Sequence, residues 1–374
     1  MHHPYRQSRF SVVVGLIILY FLPIASHGNT ATPVEDWQAI IRDTPYWDSQ
    51  GVYSNILDIR RWVLEESGYC ADQERHLLFD HRGRFIGYTS DGATRAETQK
   101  RLNEQREKLA RQGRATGWTP GDATTTGYPF ALACDQPHAR LDEARERYLG
   151  EDTTARLWGR WDDLDFATRE NPGTLHDALV YVYGTRSRQQ QQSLPPELPR
   201  YLAGMLMIES GGRTRAHSAA DAKGIMQLTR QVLSDCGVAP RNHWHRLAQL
   251  DCAIKLMSQN ARILEPAINT AFAELPQAKR QRLFTLLLIQ AYHGGATRVL
   301  RLLEDDELGG PAQYFAEHHE RFTAGDIAFG MVFHNLGRDR LGLASLYYVA
   351  DVELATQAIC EEPALVQTPF CQSP

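Results

Sequence analysis

The chain has 374 residues, 43% hydrophobic and 23% charged, which is typical of a globular protein and excludes a disordered or fibrous one. Its length suits one large domain or two smaller ones. The formal net charge of −5 gives no support to nucleic-acid binding, which favours a basic surface, so no nucleic acid is expected among the partners.

Residues 1–28 have the layout of a secretory signal peptide. Arg6 and Arg9 form a short basic start, the apolar run Phe10–Ala25 follows, and residues 26–28 offer a small-residue cleavage site. Because the apolar run is short for a membrane-spanning helix, we expect cleavage and export to the periplasm. An uncleaved inner-membrane anchor is the alternative.

Export bears on the six cysteines, because an even count in an exported chain favours disulfides. Six cysteines allow 15 pairings. Their grouping along the chain suggests three local pairs, which are Cys70–Cys134, Cys236–Cys252 and Cys360–Cys371. No spacing typical of a Cys or His metal site occurs, so neither a metal nor another cofactor is expected.

For residues 29–190 we predict a mixed, mostly helical region with one β-hairpin. The hairpin covers His76–Ser90, where two apolar runs flank a glycine-containing turn. Residues 95–112 have high helix propensity, and Gly113 is the natural stop. The segment 186–199 is rich in Gln and Pro, which favours a linker or long loop.

Weaker signals complete this region. The patterns of Trp37–Ile41 and Ile56–Leu64 are typical of short amphipathic helices. Residues 139–183 are predicted to form several helices with breaks between them. Trp158 and Trp161 have flat apolar faces that suit a sugar ring, but aromatic packing within the protein is the favoured interpretation.

Residues 195–374 show helical periodicity and few strand signals, which predicts an all-α domain. Helices are predicted over Leu202–Ser210, Leu250–Leu264, Leu283–Ala291, Thr297–Leu303 and Leu341–Ala358. The segment Leu283–Ala291 is apolar nearly all round, so we expect it to be the buried central helix.

One carboxylate, Glu209, stands at the expected end of an apolar helix, directly before Gly211 and Gly212. Apolar surroundings and the negative end of the helix dipole both raise the pKa of a carboxyl group. A raised pKa suits a general acid that works near neutral pH. Taken alone, however, the pattern fits a surface glutamate without a function at least as well.

Four motifs occur in one order. They are Glu209-Ser210, Ser218 with Ala222–Gln227, Ala291-Tyr292-His293-Gly294-Gly295, and Tyr348-Val349-Ala350-Asp351-Val352. Each motif is weak alone, but the ordered set is specific. Together the motifs resemble the lytic transglycosylase domain of the soluble, lysozyme-like type (family 1, the SLT domain), over residues of about 199–352.

The resemblance implies a lysozyme-like catalytic domain with Glu209 as its one catalytic acid. The substrate-binding residues that it implies are Ser218, Gly224, Ile225, Met226, Gln227, Tyr292, His293 and Tyr348. Considered singly, each of these residues also fits a purely structural role, such as a core aromatic or a loop polar group.

The chain departs from the family pattern at four places. Asp221 replaces the usual Gly, His293 the usual Asn, and Thr229 the usual Met, and Gly294 follows His293. None of these changes removes the acid. They bear on substrate details more than on the reaction.

The reaction implied by the resemblance is cleavage of the β-1,4 bond between N-acetylmuramic acid and N-acetylglucosamine in peptidoglycan strands, leaving a 1,6-anhydro end. Most glycosidases use two carboxylates, whereas this motif set contains one, so Glu209 would act as acid and then as base. A hydrolytic muramidase on the same fold and a non-catalytic glycan-binding scaffold are the alternatives. Residues 29–190 are open to three roles: anchoring a partner of the cell-wall machinery, extending the groove, or regulating access.

Overall fold

The structure is a computed structural model that describes residues 37–64, 75–80, 82–114, 121, 140–189, 194–195 and 197–372. Within these residues the chain forms 13 α-helices and two small antiparallel sheets of two strands each. The mainly helical fold expected from the sequence is therefore confirmed. The expected signal peptide and the pair Cys70–Cys134 lie outside the described residues.

The part of the chain before residue 190 forms five of these helices and both sheets. Their bounds are α1 Trp37–Asp43, α2 Val52–Leu64, β1 Arg75–Phe79, β2 Phe85–Ser90, α3 Arg95–Arg111, α4 Leu141–Leu149, β3 Gly159–Trp161, β4 Leu164–Phe166 and α5 Leu175–Gln189. The predicted hairpin is confirmed, with Leu78 of β1 opposite Gly87 of β2. The predicted helix after it is confirmed as α3, which Thr94 caps by accepting a hydrogen bond from Glu97 N.

The hairpin β3–β4 was not predicted, because strands of three residues are too short to show an alternating pattern. Trp161 in β3 donates from its indole nitrogen to Asp251 Oδ2 at 3.1 Å and lies 5.5 Å from the ring of His245. Trp161 therefore has a packing role within the protein, as favoured from the sequence. Trp158, just before β3, is 47% exposed.

The predicted linker is shorter than expected, because residues 186–189 belong to α5 and residues 198–199 to the next helix. The side chain of Arg186 is buried and donates to Asp251 Oδ1 at 2.6 Å and to Asp163 Oδ1 at 2.7 Å. Two carboxylates from other parts of the chain thus stabilise the last turn of α5. The composition of the segment itself does not reveal these partners, so the end of the helix was not predicted.

Eight helices follow. Their bounds are α6 Leu198–Ser210, α7 Arg230–Asp235, α8 Arg246–Ala271, α9 Gln277–Gly294, α10 Ala296–Glu304, α11 Gly310–Glu317, α12 Ala324–Phe333 and α13 Leu343–Cys360. The five helices predicted here are confirmed as α6, α8, α9, α10 and α13. The sequence did not indicate α7, α11 or α12. All ten residues of α12 are buried, so it has no polar face to reveal a helical period.

The described residues form one compact unit from residue 37 onward, with one large core and a small separate cluster between the first hairpin and α3. Ile41 and Ile56 share this core with Leu286 of α9, whose apolar middle is fully buried as expected for the central helix. The domain boundary expected between residues 190 and 195 stays a prediction, and the hydrophobic core continues across it.

Two of the three expected disulfides are present, Cys236–Cys252 and Cys360–Cys371. The first ties the end of α7 to α8, and the second ties the end of α13 to the C-terminal segment. In the described part of the chain, no helix is both long and apolar enough to cross a membrane.

A buried ion pair joins α2 to α13. Arg60 Nε donates to Asp351 Oδ1 at 2.6 Å and Arg60 Nη2 to Asp351 Oδ2 at 3.0 Å. Arg60 is 0% exposed, and its guanidinium lies 4.7 Å from the centre of the Tyr347 ring. Burial raises the pKa of Asp351 although Arg60 acts in the opposite direction. A second bond, from Tyr53 to Glu353 at 2.6 Å, joins the same two helices.

Removing one partner of this pair should destabilise the whole fold. We expect Arg60→Met to lower the free energy of unfolding by about 3–5 kcal/mol, because Asp351 is left buried without its counter-charge. Chemical denaturation at pH 7 measures the change. The double variant Arg60→Met/Asp351→Leu should recover most of the loss, because it buries no charge. A single variant within about 1 kcal/mol of the wild type would contradict this account.

Candidate active site

Glu209 lies in the last turn of α6, whose apolar residues are buried against the core. The helix ends where Gly211 and Gly212 adopt left-handed φ angles of 60° and 75°. Gly211 N donates to Met207 O at 2.8 Å, which closes the helix end in the usual manner of a glycine stop. The helix end predicted from the sequence is confirmed, and the Glu209 side chain is partly buried there.

The Glu209 carboxyl accepts a hydrogen bond from the hydroxyl of Tyr348, which lies 2.6 Å from Glu209 Oε1. Burial raises the pKa of Glu209 to about 7, while the Tyr348 hydrogen bond acts in the opposite direction. Near neutral pH, Glu209 is therefore able both to give and to take a proton. Burial, and then the charge of Glu209, hold the pKa of Tyr348 well above its ordinary value, so Tyr348 remains a donor.

The end of α9 contributes two further rings. Tyr292 donates to Met226 O at 2.6 Å, and the charge of Glu209 adds to burial in raising the pKa of Tyr292. His293 stacks on Tyr348 with the ring centres 4.4 Å apart and the planes 22° apart. Desolvation by the neighbouring side chains, and then Arg298, lower the pKa of His293 to about 4, although the residue as a whole is exposed. The structure thus brings Glu209, Tyr292, His293 and Tyr348 together, as the resemblance implies.

The strip Gly224–Gln227 follows a tight loop. Gly224 has φ of 76°, and a Cβ there would lie 2.6 Å from Gln249 Cδ, so only glycine fits. Ile225 and Met226 are fully buried, and their carbonyl oxygens accept hydrogen bonds from Ser210 and Tyr292, so both residues hold the strip in place. Sugar contacts by these residues stay a prediction.

The Gln227 side chain is used inside this loop. Its Nε2 donates to Ala216 O and to Gly224 O, both at 2.9 Å. Gln227 itself has a left-handed φ of 46°. Its amide nitrogen therefore stabilises the strip, and contact with a sugar through its Oε1 stays a prediction.

Two residues that position the site were not recognised from the sequence. Ser210 Oγ donates to Ile225 O at 2.7 Å and accepts from Gly212 N at 3.0 Å, which joins the strip to the end of α6. Gln249 is fully buried and accepts from Met226 N at 3.2 Å. Ser210 had a signal, its place beside Glu209 in the first motif, whereas Gln249 lies in a helix without any local signal.

Ser218 lies in a turn of its own. Its hydroxyl accepts a hydrogen bond from Ala222 N at 3.1 Å, and its backbone N donates to Ala222 O at 3.0 Å. The structure shows this turn-stabilising role for Ser218, and the contact with Glu209 or with substrate that the resemblance implies stays a prediction.

Asp221 has φ of 60°, a conformation that favours glycine, which is the residue usual at this position in the family pattern. Its carboxylate contacts His217 Nε2 at 2.8 Å, Lys223 Nζ at 3.1 Å and Arg230 Nη2 at 3.1 Å. The hydrogen bonds from His217 and then Lys223 lower the pKa of Asp221 to about 2. The additional charge is therefore matched by three basic side chains.

Thr229, a second departure from the pattern, is the N-cap of α7 and accepts a hydrogen bond from Val232 N at 3.4 Å. Across the part of the chain that the structure describes, no group of three or more His, Cys, Asp or Glu side chains has a metal-binding arrangement.

A comparison with protein-family models finds no family that matches the chain, and a comparison with curated proteins finds no similar protein.

The hydrogen bond from Tyr348 should set the acidity of Glu209. We expect Tyr348→Phe to raise the pKa of Glu209 above about 7, because the carboxylate loses its donor while its burial is retained. A ¹³C NMR titration of the Glu209 carboxyl carbon measures the shift. Tyr347→Phe is the matched control, since the Tyr347 hydroxyl has no hydrogen-bond partner among the described residues. An unchanged or lower pKa in Tyr348→Phe would refute the role of this bond.

Proposed function

We propose that this protein is a peptidoglycan lytic transglycosylase with Glu209 as its single acid and base. The observation that carries the proposal is one carboxyl group with a pKa of about 7, hydrogen-bonded to Tyr348 at the end of an apolar helix. Tyr292, His293 and Tyr348, from the third and fourth motifs, lie around it. A buried carboxyl group with a raised pKa is typical of a catalytic acid, which favours an enzyme over a non-catalytic scaffold.

The proposed reaction has two steps on one residue. Protonated Glu209 gives its proton to the glycosidic oxygen between N-acetylmuramic acid and N-acetylglucosamine, and that bond breaks. The neighbouring N-acetyl group stabilises the positive charge at C1. The Glu209 carboxylate then takes the proton of the C6 hydroxyl, whose oxygen bonds to C1 and closes the 1,6-anhydro ring. No water is consumed, and Glu209 ends the cycle protonated.

The environment of the other motif carboxylates supports a one-carboxylate mechanism. Asp221 contacts three basic side chains, and Asp351 forms the buried pair with Arg60. Both carboxylates have charged partners, so neither is available as the second catalytic group that most glycosidases use. Tyr348 serves instead to stabilise Glu209 in its ionised form between the two steps.

Export to the periplasm is part of the proposal. Two disulfides and the apolar segment after Arg6 and Arg9 support it, because disulfides persist in oxidising compartments.

Glu209→Gln should abolish cleavage while keeping the shape of the site. We expect the rate on purified peptidoglycan to fall by at least about 10²-fold, because the amide cannot give or take the proton. Mass analysis of the wild-type products should show 1,6-anhydro ends, which are lighter by one water than reducing ends. Reducing ends alone from pure protein would establish hydrolysis instead, and equal cleavage by Glu209→Gln would remove the catalytic assignment.

The pH profile should follow the same group. Because the free enzyme must hold the proton, kcat/KM should fall by about tenfold per pH unit above pH of about 7. Initial rates between pH 5 and pH 9 measure this limb, and Tyr348→Phe should move it to higher pH. A flat profile across this range would contradict general acid catalysis by Glu209.

A further inference from the structure

The segment between α6 and α7 is strongly basic in a chain that is acidic overall. Together with Arg230, the first residue of α7, this segment (residues 211–230) contains four Lys or Arg and one acid, a formal charge of 4 − 1 = +3 against −5 for the whole chain. We call its basic side chains the basic rim, which comprises Arg213, Arg215, His217, Lys223 and Arg230. All of them except Lys223 are exposed.

One carboxylate organises the rim. His217, Lys223 and Arg230 converge on Asp221, although the side chains of His217 and Arg230 remain 51% and 72% exposed. Arg213 and Arg215 form no ion pair with any residue that the structure describes. Since one acid faces several bases, positive charge is left over, and such a surface attracts anions.

The rim is built onto the site. Ala216, which lies between Arg215 and His217, accepts hydrogen bonds from Gly224 N and Gln227 Nε2, both at 2.9 Å. The strip in turn is tied to the end of α6 through Ser210 and Ile225. Backbone hydrogen bonds and side-chain contacts therefore hold the basic rim beside the strip that the proposed function assigns to the glycan.

We propose that the basic rim binds the carboxylates of the peptide stems on the glycan strand and so makes stem-bearing strands the preferred substrate. The inference rests on the proposed function and deepens it. The stems carry several carboxylates from alternate sugars, and guanidinium groups bind carboxylates with paired, charge-assisted hydrogen bonds. Asp221 is a positioning residue, because it gathers three bases at one edge of the strip.

The test removes three charges from the rim and compares two substrates. Arg213→Gln/Arg215→Gln/Arg230→Gln should raise KM about tenfold on stem-bearing strands, with a weaker dependence on salt, and leave kcat unchanged. On strands stripped of their stems by an amidase, which keep only the lactyl carboxylate of each muramic acid, wild type and variant should agree within about twofold. An equal rise in KM on both substrates, or no rise on stem-bearing strands, would overturn the proposal.

A matched control removes three charges elsewhere. Arg111, Arg140 and Arg160 have side chains that are 66%, 71% and 79% exposed, and the triple Gln variant should behave as the wild type on both substrates. The same rise in KM on stem-bearing strands in this control would show that net charge causes the effect, and would overturn the proposal for the basic rim.

The role of Asp221 is tested by Asp221→Gly, which suits the left-handed backbone at this position. This variant makes the segment more basic but releases His217, Lys223 and Arg230. If the arrangement matters, KM on stem-bearing strands rises. A lower KM would mean that charge alone acts, and would overturn the positioning role.

A binding experiment tests stem recognition by the basic rim separately from the proposed catalytic function. Sedimentation of the Glu209→Gln protein with insoluble peptidoglycan measures binding without cleavage. We expect the rim substitutions to reduce the bound fraction on stem-bearing material alone, even if the wild type cleaves neither substrate. Equal binding with and without the rim would refute the inference independently of catalysis.

Discussion

The close approach of α6 and α13 is the constraint on which the candidate site depends. The two helices run antiparallel, and at Gly204 a Cβ would collide with Thr356 Oγ1 and Val352 O. The absence of a side chain there lets the backbones approach until Tyr348, near the start of α13, reaches Glu209 at the end of α6. A hydrogen bond of 2.6 Å between residues 139 positions apart requires the whole interface to hold its register.

The region before residue 190 contributes to this arrangement, because α2 packs against α13 on the side away from α6. Arg60 reaches Asp351, which is one turn after Tyr348, and Tyr53 reaches Glu353. A buried charge pair is weak as a source of stability but strongly unfavourable when broken, so it defines one position of α13 against α2. Helix α2 therefore supports the geometry of the candidate site.

The loop between α6 and α7 is organised by its own hydrogen bonds. Side-chain groups of Ser210, Gln227 and Gln249 form hydrogen bonds with the backbone of the loop. These hydrogen bonds restrict its backbone conformation. Hydrogen bonds of this kind hold the loop in one conformation, which under the proposed function would preorganise it for the glycan. The same loop places the acid Asp221 among three bases, where its charge stabilises their arrangement.

The sequence by itself determined what depends on neighbours a few residues apart. The period of the apolar residues and the pair Gly211-Gly212 located the end of α6, the turn after Phe79 located the first hairpin, and the short spacing of Cys236 and Cys252 located a disulfide. The ordered motifs also selected Glu209 and Tyr348, which the structure brings together. Each of these features is a local signal or a fixed order along the chain.

Only the tertiary structure decided what depends on distant partners. The pKa of Glu209 follows from burial and from a hydroxyl 139 residues away, and the pairing of Arg60 with Asp351 spans 291 residues. The buried α12 has no polar face, and Gln249 has no neighbour in sequence that reveals its contact with Met226 N. Local patterns contain no record of which surfaces meet, because packing in three dimensions selects those contacts.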